Sequence, residues 1–498
     1  VRVDNTHTKY EQKLYASSNL TITEESTQGH YTISKPDETQ TYADVLANIN
    51  KRFNDFSLVA NVGASIVNNR YEDLSYRGPI REKGIPNVFN VFDLDNTKKK
   101  ARQDEWQEQT QSIFASVEVG WKSMLYLTLT GRNDWASQLA NSSTPCFFYP
   151  SVGLSGVISE MLTLPEFIDY MKVRGSFSSV GMPYPRNLTS PTYEYDEANQ
   201  QWKPKTHYPI KDLKPERTNS WELGLDMRLF KDFSLGFSWY LANTFNQTFD
   251  PKVSVSSGYS KIYLQTGYVR NSGVELSLGY GHTWNNHLHW ESNFTLSHNK
   301  NTIKDLVTSY IHPETGLPIT QNRLDVGGLG KARFILKKGG TLGDLYTQSD
   351  LKRDNSGMVE IDPSGALTTE DNLPDIKLGS VFPKANLAWN NRFEWRGISL
   401  SALFTARIGG IAYSATQAAM DQYGVSERSA QARDNGGVLL NGRTLVDAQT
   451  YYSLIGNSSG LPQYYTYSAT NVRLQEASVG YTIPRKWLGG VCDINVSV

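Results

Sequence analysis

The residues that could bind a metal ion form one alternating pattern on a short stretch that is typical of a strand. His287, His289 and Glu291 project from the same side of that stretch, and two histidines at this spacing could bind zinc. No further ligand is evident nearby, and polar residues on such a strand are ordinarily solvated. The sequence therefore predicts no metal site here.

A second candidate for ion binding is the acidic loop 350–362. Asp354, Ser356, Glu360 and Asp362 offer oxygen atoms, but calcium takes about six to eight such ligands at alternating positions. A glycine-containing turn is the simpler interpretation of this loop. We predict no cofactor, and calcium in this loop is the alternative that the sequence leaves open.

Motifs of phosphate binding and of catalysis are incomplete. In VGGLGKAR, Asp325 precedes the stretch where a phosphate-binding loop needs glycine, and Ala332 stands where it needs serine or threonine. The zinc-protease motif His-Glu-x-x-His does not occur. Carboxylates are numerous, but no pair can be placed at the separation that a glycosidase needs. We predict that the chain is not an enzyme.

Aromatic residues in two polar segments are better candidates for ligand binding. YEYDEANQQW contains Tyr193, Tyr195 and Trp202, and LPQYYTY contains Tyr464 and Tyr465. Aromatic rings beside carboxamides suit sugar rings, and they suit peptides as well. The alternative is that these rings pack loops together or contact a partner protein.

The segments that must position these loops alternate between apolar and polar residues, as β-strands do. In MLYLTLTGRNDW, Leu125, Leu127 and Leu129 share one side, and the other side is polar and ends in charges. The same alternation recurs in SWELGLDMRLF, FSLGFSWYL, GVELSLGY and GISLSALFTAR. We predict that the apolar sides face lipid and that the polar sides face an aqueous lumen. The charged residues predicted to face this lumen are Arg132, Asp134, Glu222, Asp226, Arg228, Glu275, Glu291 and Arg407.

The connections between the strands alternate between short turns and long polar segments. The long segments cover about residues 75–107, 181–216, 300–380 and 410–468, and such lengths are unusual in compact soluble domains. Short turns at one end and long loops at the other are typical of outer-membrane barrels. The pattern gives roughly 14 to 17 strands.

Composition narrows the class of protein further. A net charge of -1 argues against nucleic acid as a partner, and no apolar run reaches the ~18 residues of a membrane-spanning helix. Cys146 and Cys492 form no motif and could pair only if the fold brings them together. Aromatic residues make up 12% of the chain, which fits a barrel with aromatic rims. The fold class that we predict is all-β, a transmembrane antiparallel β-barrel.

Several stretches resemble the signatures of one family, the SusC/RagA-like TonB-dependent transporters of Bacteroidetes outer membranes. These stretches are GRNDWASQL followed by FFYPSVGLSG, VRGSFSSVG, LKPERTNSWELGLDMRLF, RNSGVELSLGY, GISLSALFTARIGG and VRLQEASVGYTIP. They occur in the family's order, and together they span about residues 11–498.

The resemblance implies a barrel of 22 strands that is closed by an amino-terminal plug. It implies active import of oligosaccharides or oligopeptides, powered by the TonB system through the plug, with oligosaccharide as the first expectation. It also implies a SusD-like surface lipoprotein that covers the barrel as a lid, and dimers of the transporter–lipoprotein pair in some relatives. We find no plug here, so we expect residues 1–498 to form part of the barrel of a longer polypeptide in the outer membrane.

Two further interpretations remain open at this point. A passive porin would have about 16 to 18 strands and no plug. A surface carbohydrate-binding β-protein would bury its apolar strand faces against a second sheet.

Overall fold

One large antiparallel sheet dominates the molecule, and the loop strands and most of the helices lie in the long connections at one end of it. The structure, a computed structural model, describes residues 1–18, 28–188, 193–196, 201–204, 207–208, 214–249, 261–262, 264–284, 287–311, 318–457, 460–490, 492 and 494–498. Within these ranges no helix is long and apolar enough to cross a membrane.

Within the described residues the sheet contains 16 strands, and from the third strand onwards each strand pairs with the next one in sequence. The first two strands pair with different parts of the third and so share one position. In chain order the strands are β1 Arg2–Lys9, β2 Gln12–Ala16, β3 His30–Phe53, β4 Phe56–Pro79, β5 Lys100–Trp121, β6 Leu125–Ala136, β7 Cys146–Val157, β8 Ile168–Met182, β9 Glu216–Leu229, β10 Phe233–Phe249, β11 Leu264–Thr283, β12 Leu288–Asp305, β13 Ala385–Trp395, β14 Ile398–Ile408, β15 Asn471–Ile483 and β16 Ile494–Ser497.

The remaining elements lie in the connections. The helices are α1 Ile158–Met161, α2 Ala415–Gln422, α3 Glu427–Asp434 and α4 Ala448–Gly456, with single 3-10 turns at Val91–Asp93, Ser137–Leu139, Pro462–Tyr464 and Arg485–Leu488. The short loop strands are Tyr193–Asp196, Gln201–Pro204, His207–Tyr208, Lys261–Ile262, Val307–Ile311, Pro318–Gln321, Arg323–Leu329, Ala332–Lys337, Asp344–Thr347, Asp350–Leu351, Thr369–Glu370, Ile376–Ser380, Ile411–Tyr413, Val438–Leu440, Thr444–Val446 and Thr466–Ser468.

The apolar face of the sheet is exposed rather than packed against a second layer. Leu125, Leu127 and Leu129 are 36%, 38% and 45% exposed. On β4 the same face is apolar from Phe56 to Ile66, a length that matches the 9–11 residues of a membrane crossing. A soluble sandwich would bury such residues, so the prediction of a membrane barrel is favoured over that alternative.

Beyond this apolar band the strands continue, and this corrects two of the predicted loop boundaries. β4 extends to Pro79 and β5 begins at Lys100, so the loop predicted over 75–107 is limited to 80–99. β12 continues to Asp305 rather than ending before 300. The side chains of Asn68, Arg70 and Glu72 replace the apolar ones on this part of β4, so the alternation disappears although the pairing persists.

Among the described residues, two buried clusters hold long connections together. The first consists of Val269, Ile303, Leu306, Leu324 and Leu336. It fixes a four-stranded loop sheet to β11 and β12, and the strands of that sheet are Arg323–Leu329, Ala332–Lys337, Asp344–Thr347 and Ile376–Ser380. The second joins residues 350–367 to residues 415–457 and 460–465, and we call these residues the loop cap. Its core contains Leu351, Val359, Leu367, Ala418, Val446, Ile455, Leu461 and Tyr465.

Candidate functional site

The strand register brings the predicted charged residues to one face of the sheet. Residues directly opposite each other in an antiparallel pair project from the same face. Asp226 lies opposite Gly236, which lies opposite Ser277, and Glu275 lies opposite Ser297. The same chain of pairs connects β5 to β14 and gives the polar face, which carries Arg132, Asp134, Glu222, Asp226, Arg228, Glu275, Glu291 and Arg407.

The first charged cluster on the polar face spans β5, β6 and β7. Arg132 donates from Nε to Asp134 Oδ1 at 2.7 Å and to the Tyr149 hydroxyl at 3.0 Å, and from Nη2 to Ser112 Oγ at 2.7 Å. The Tyr149 hydroxyl donates to the other oxygen of Asp134. Asp134 is buried, at 7% exposure, so these bonds compensate its lost hydration.

The position of Arg132 depends on a ring beneath it. The guanidinium lies 5.6 Å from the centroid of Phe114, at a distance typical of a cation–π contact. A Cβ on Gly63 would lie 2.7 Å from the Phe114 ring. Glycine on β4 therefore leaves room for the phenyl ring that supports the arginine.

The second charged cluster centres on Arg174 of β8. Its Nη1 donates to Asp226 Oδ2 at 2.7 Å, and its Nη2 donates to Ser238 Oγ at 2.7 Å and to Glu222 Oε1 at 3.4 Å. A Cβ on Gly224 would lie 2.6 Å from Arg174 Nε. The glycine therefore lets the guanidinium lie flat along the large sheet, which we call the wall. Asp226 and Glu222 were both predicted for this face.

Sequence reasoning missed Arg174 and Tyr149, although the alternation contained the signal. In VRGSF, Arg174 directly follows the apolar Val173. In the same way, Arg132 directly follows Gly131, which lies on the apolar side of β6. Each of the two clusters borders an open cavity on the polar face. The cavity beside Arg132 measures about 320 Å3, and the cavity beside Arg174 and Glu275 measures about 390 Å3.

The remaining predicted charges take part in smaller contacts. Asn293 donates to Glu291 at 2.8 Å, and Arg407 Nη2 donates to the Val381 carbonyl at 2.6 Å. Arg228 is exposed near the turn at the end of β9. Charges of both signs therefore come together on the polar face around Arg132 and around Arg174, and other charged residues of this face make smaller contacts.

The two tyrosines that the sequence predicted as ligand-binding residues in LPQYYTY both lie in the loop cap. The position of Tyr465 corrects this prediction. Tyr465 is fully buried, with Arg428 4.9 Å from its ring centroid, so its ring is not presented to a ligand. Tyr464 packs against the same core, and its hydroxyl donates to Asp350 at 3.3 Å. Burial raises the pKa of both phenols, so both stay neutral and serve the packing of the loops.

Side-chain hydrogen bonds join the two halves of the cap. The Asn441 amide accepts from the Val359 N–H at 3.0 Å and donates to the Val359 carbonyl at 2.9 Å, as a neighbouring strand would. Gln463 Nε2 donates to the Ser349 carbonyl at 3.2 Å. The cap also exposes apolar side chains: Leu439 and Leu445, opposite each other on one hairpin, are 60% and 56% exposed.

The aromatic residues of YEYDEANQQW belong to a two-stranded ribbon. Tyr195 pairs with Trp202 and Tyr193 pairs with Pro204. The Trp202 side chain is 68% exposed, while the side chains of Tyr193 and Tyr195 lie outside the described residues. Ligand binding by these residues stays a prediction.

The acidic loop forms two successive turns of the same kind. Asp354 accepts from the backbone N–H groups of Ser356 and Met358 at 2.8 and 3.0 Å, and Asp362 accepts from those of Ser364 and Ala366, both at 2.8 Å. Hydrogen bonds from the serine side chains are the main reason that the pKa values of both carboxyls lie below their ordinary value. This geometry supports the simple turn, and calcium binding in this loop is untested.

No group of three metal-ligating side chains comes together anywhere in the described ranges. His289 Nδ1 lies 2.8 Å from the Thr283 hydroxyl, within hydrogen-bonding distance across the hairpin. Cys146 and Cys492 are both free thiols.

Comparisons with known proteins agree with this architecture. A family model described as TonB dependent receptor-like, beta-barrel matches residues 2–471. The TonB-dependent receptor P3 of Formosa agariphila is 22% identical over 436 residues, which cover 81% of this chain and 42% of that protein. Receptor P39 of the same organism is 23% identical over 339 residues, covering 65% of this chain and 30% of the relative.

The structure of the RagAB peptide transporter superposes with a TM-score of 0.72 at 16% identity, covering 100% of this chain and 55% of that one. This likeness concerns the fold. The chain spans less than half the length of the curated relatives that it matches. The family match and the shared fold confirm the TonB-dependent transporter barrel that the sequence motifs predicted. The chain belongs to the TonB-dependent receptor β-barrel family, whose members are integral proteins of the outer membrane and not enzymes.

Proposed function

We propose that the protein imports a polar nutrient oligomer through the outer membrane, with oligopeptide as the class of ligand that the geometry supports best. The observation that carries this proposal is the pair of clusters on the polar face, centred on Arg132 and Arg174. Each contains a guanidinium and at least one carboxylate beside an open cavity. A wall with both signs of charge complements a zwitterionic chain.

The sequence favoured oligosaccharide over oligopeptide, and we propose the reverse order because the polar face carries charges of both signs. Sugar rings are bound chiefly by exposed aromatic faces with adjacent amides, and Tyr464 and Tyr465 are committed to the loop cap. The likeness of the fold to a peptide transporter points in the same direction. Oligosaccharide remains the second candidate because Trp202 exposes most of its side chain.

Binding to the purified full-length protein separates the two classes of ligand. We expect short peptides with free termini to bind measurably in calorimetry, and uncharged oligosaccharides of similar size to bind at least about tenfold more weakly. Arg174→Gln would lower the peptide affinity by about tenfold, because it removes the guanidinium that would pair with a peptide carboxylate. Arg228→Gln is the matched control, since Arg228 lies on the same face but outside both clusters.

Equal peptide binding by wild type and Arg174→Gln would contradict the peptide assignment. Tight binding of an uncharged oligosaccharide would instead favour the second candidate. The readout is a dissociation constant, so it does not depend on energy coupling.

Capture of the ligand would involve a SusD-like lipoprotein lid. The exposed apolar side chains of the loop cap, Leu439 and Leu445, offer a surface for such a partner. Leu439→Asp with Leu445→Asp would then release the lipoprotein during co-purification, while Leu127→Ala in the membrane wall would not. Retention of the lipoprotein by the double variant would place its contacts elsewhere.

Active import would draw on the TonB system through the plug of the full-length protein, as in the family. A passive porin is the alternative, and it predicts uptake that survives collapse of the proton gradient. We expect a protonophore to abolish uptake of labelled peptide by cells that carry the protein.

A further inference from the structure

An apolar groove opens on the lipid-facing side of the wall, beside the turn between β9 and β10. Its volume is about 380 Å3, and its walls include Phe230, Phe233, Leu278, Tyr280 and Phe294. Phe233 lies opposite Tyr280, and Leu278 lies opposite Phe294, so these side chains all belong to the apolar face. The groove therefore opens to the bilayer.

The groove exists because one small residue interrupts a row of large ones. Ser292 lies opposite Tyr280 on this face. The residues before and after it on the same face of β12, Trp290 and Phe294, are both large. The Ser292 hydroxyl accepts from Trp389 Nε1 at 2.9 Å, so its polar atom is satisfied. The gap between the rings is thus largely apolar, and no side chain of the described residues fills it.

A ladder of aromatic rings marks the end of the groove nearest the short turns. Ring centroids are 6.4 Å apart for Phe230 and Phe233, 4.7 Å for Phe233 and Tyr280, and 5.1 Å for Tyr280 and Trp290. Such a girdle lies at the boundary between hydrocarbon and headgroups. In this class of barrel the short turns face the periplasm, so the groove runs from that interface into the hydrocarbon.

Charged groups surround the interfacial end of the groove. Lys231 is exposed in the turn next to Phe230, and no ion pair of its ammonium is found within the described residues. Its backbone N–H donates to Asp169 Oδ2 at 2.5 Å, and Asp232 pairs with His282 at 2.8 Å. The turn therefore brings one lysine and two carboxylates together beside the groove.

A comparable turn elsewhere in the wall lacks these features. Lys122, between β5 and β6, already lies 3.7 Å from Asp55 and 5.3 Å from the centroid of Trp121. This turn provides an internal control for the turn at Lys231.

We propose that the groove binds one acyl chain of a glycerophospholipid of the periplasmic leaflet, whose headgroup carries a phosphate and a primary ammonium. Lys231 pairs with the phosphate, and Asp169 and Asp232 pair with the ammonium. The bound lipid is a specific ligand of the wall rather than bulk solvent. This inference depends on the membrane barrel and is independent of the imported ligand.

Native mass spectrometry of the full-length protein in mild detergent tests the site, with phosphatidylethanolamine and phosphatidylglycerol added separately. We expect one phosphatidylethanolamine to be retained in preference to phosphatidylglycerol. Leu278→Trp fills the groove and lowers retention by about tenfold, the loss expected when roughly two methylene groups are no longer buried. Lys231→Gln lowers it by about fivefold. Leu127→Trp and Lys122→Gln are matched controls that leave retention unchanged.

Equal retention of the two lipids, or retention by Leu278→Trp equal to that of wild type, overturns the proposal. Heat-modifiable migration in gels reports whether each variant folds. If Leu278→Trp does not fold, Lys231→Gln decides, because a substitution in an exposed turn preserves the barrel. Unchanged retention by Lys231→Gln would then overturn the proposal.

Discussion

The wall and the loop cap place their apolar side chains in opposite ways. In the wall, Leu125, Leu127 and Leu129 point outwards and are at least one-third exposed, whereas polar residues form the other face. In the cap, Leu351, Ile455 and Leu461 are almost completely buried. The cap is built like a small water-soluble domain, and the wall is built for lipid.

The difference shows that the surroundings of one chain can change from lipid to water within a few residues. β4 is apolar on its outer face up to Ile66, and Asn68, Arg70 and Glu72 follow on the same face. The pairing of the strand does not change at this point, so the backbone alone does not mark the boundary. The identity of the outward side chain does.

Removing core volume from the cap is expected to have the largest effect. Ile455→Ala would destabilise the cap by about 2–5 kcal/mol, because it leaves a cavity at a site that is 2% exposed. Hydrogen exchange of the cap would accelerate, while the barrel keeps its heat-modifiable migration. Leu439→Ala, at an exposed site of the cap, should change little; a similar loss there would show that exposure does not govern the effect.

A charge on the lipid-facing side tests the wall in the same way. Leu129→Arg would cost about 2–4 kcal/mol in the free energy of folding into vesicles, because the guanidinium must enter hydrocarbon. Thr130→Arg, one residue further on the polar face, should cost much less. Equal costs at the two positions would contradict the assignment of the faces.

Breaking the bond between the two halves of the cap is expected to have an intermediate effect. Asn441→Ala removes both hydrogen bonds to Val359 and would cost about 1–3 kcal/mol. The expected readout is faster hydrogen exchange at Val359. Asn435→Ala, at the exposed end of α3, serves as the control and should leave that exchange rate unchanged.

The smallest effect expected near neutral pH comes from titration of Asp421 in the cap. Burial opposes its ionisation, but bonds from Arg428, Ser426 and Gln417 outweigh it and hold its pKa below the ordinary value of 3.8. The resulting stability is fully present above about pH 5 and is lost as the pH falls through the lowered pKa. Proteolysis of the cap should rise over that acidic range, and Asp421→Asn should weaken this dependence. An unchanged pH profile in the variant would assign the effect to other carboxyls.

The sequence predicted the wall well because alternation is a local property of each strand. The two-residue alternation alone assigns Leu125, Leu127 and Leu129 to one face and the eight charged residues to the other. Loop boundaries were harder to predict, because the strands continue where the outward residues become polar, as at Arg70. Tyr465 could not be placed from sequence, since its burial depends on contacts with Arg428 and with residues about a hundred positions earlier, such as Leu351.

We propose that this barrel works with a lipoprotein to capture a polar oligomer. The most direct test is co-purification from native outer membranes in mild detergent, followed by mass spectrometry of bound proteins and small molecules. We expect one surface lipoprotein per barrel together with bound oligopeptides. A barrel recovered without a lipoprotein and without an oligomeric ligand would contradict it.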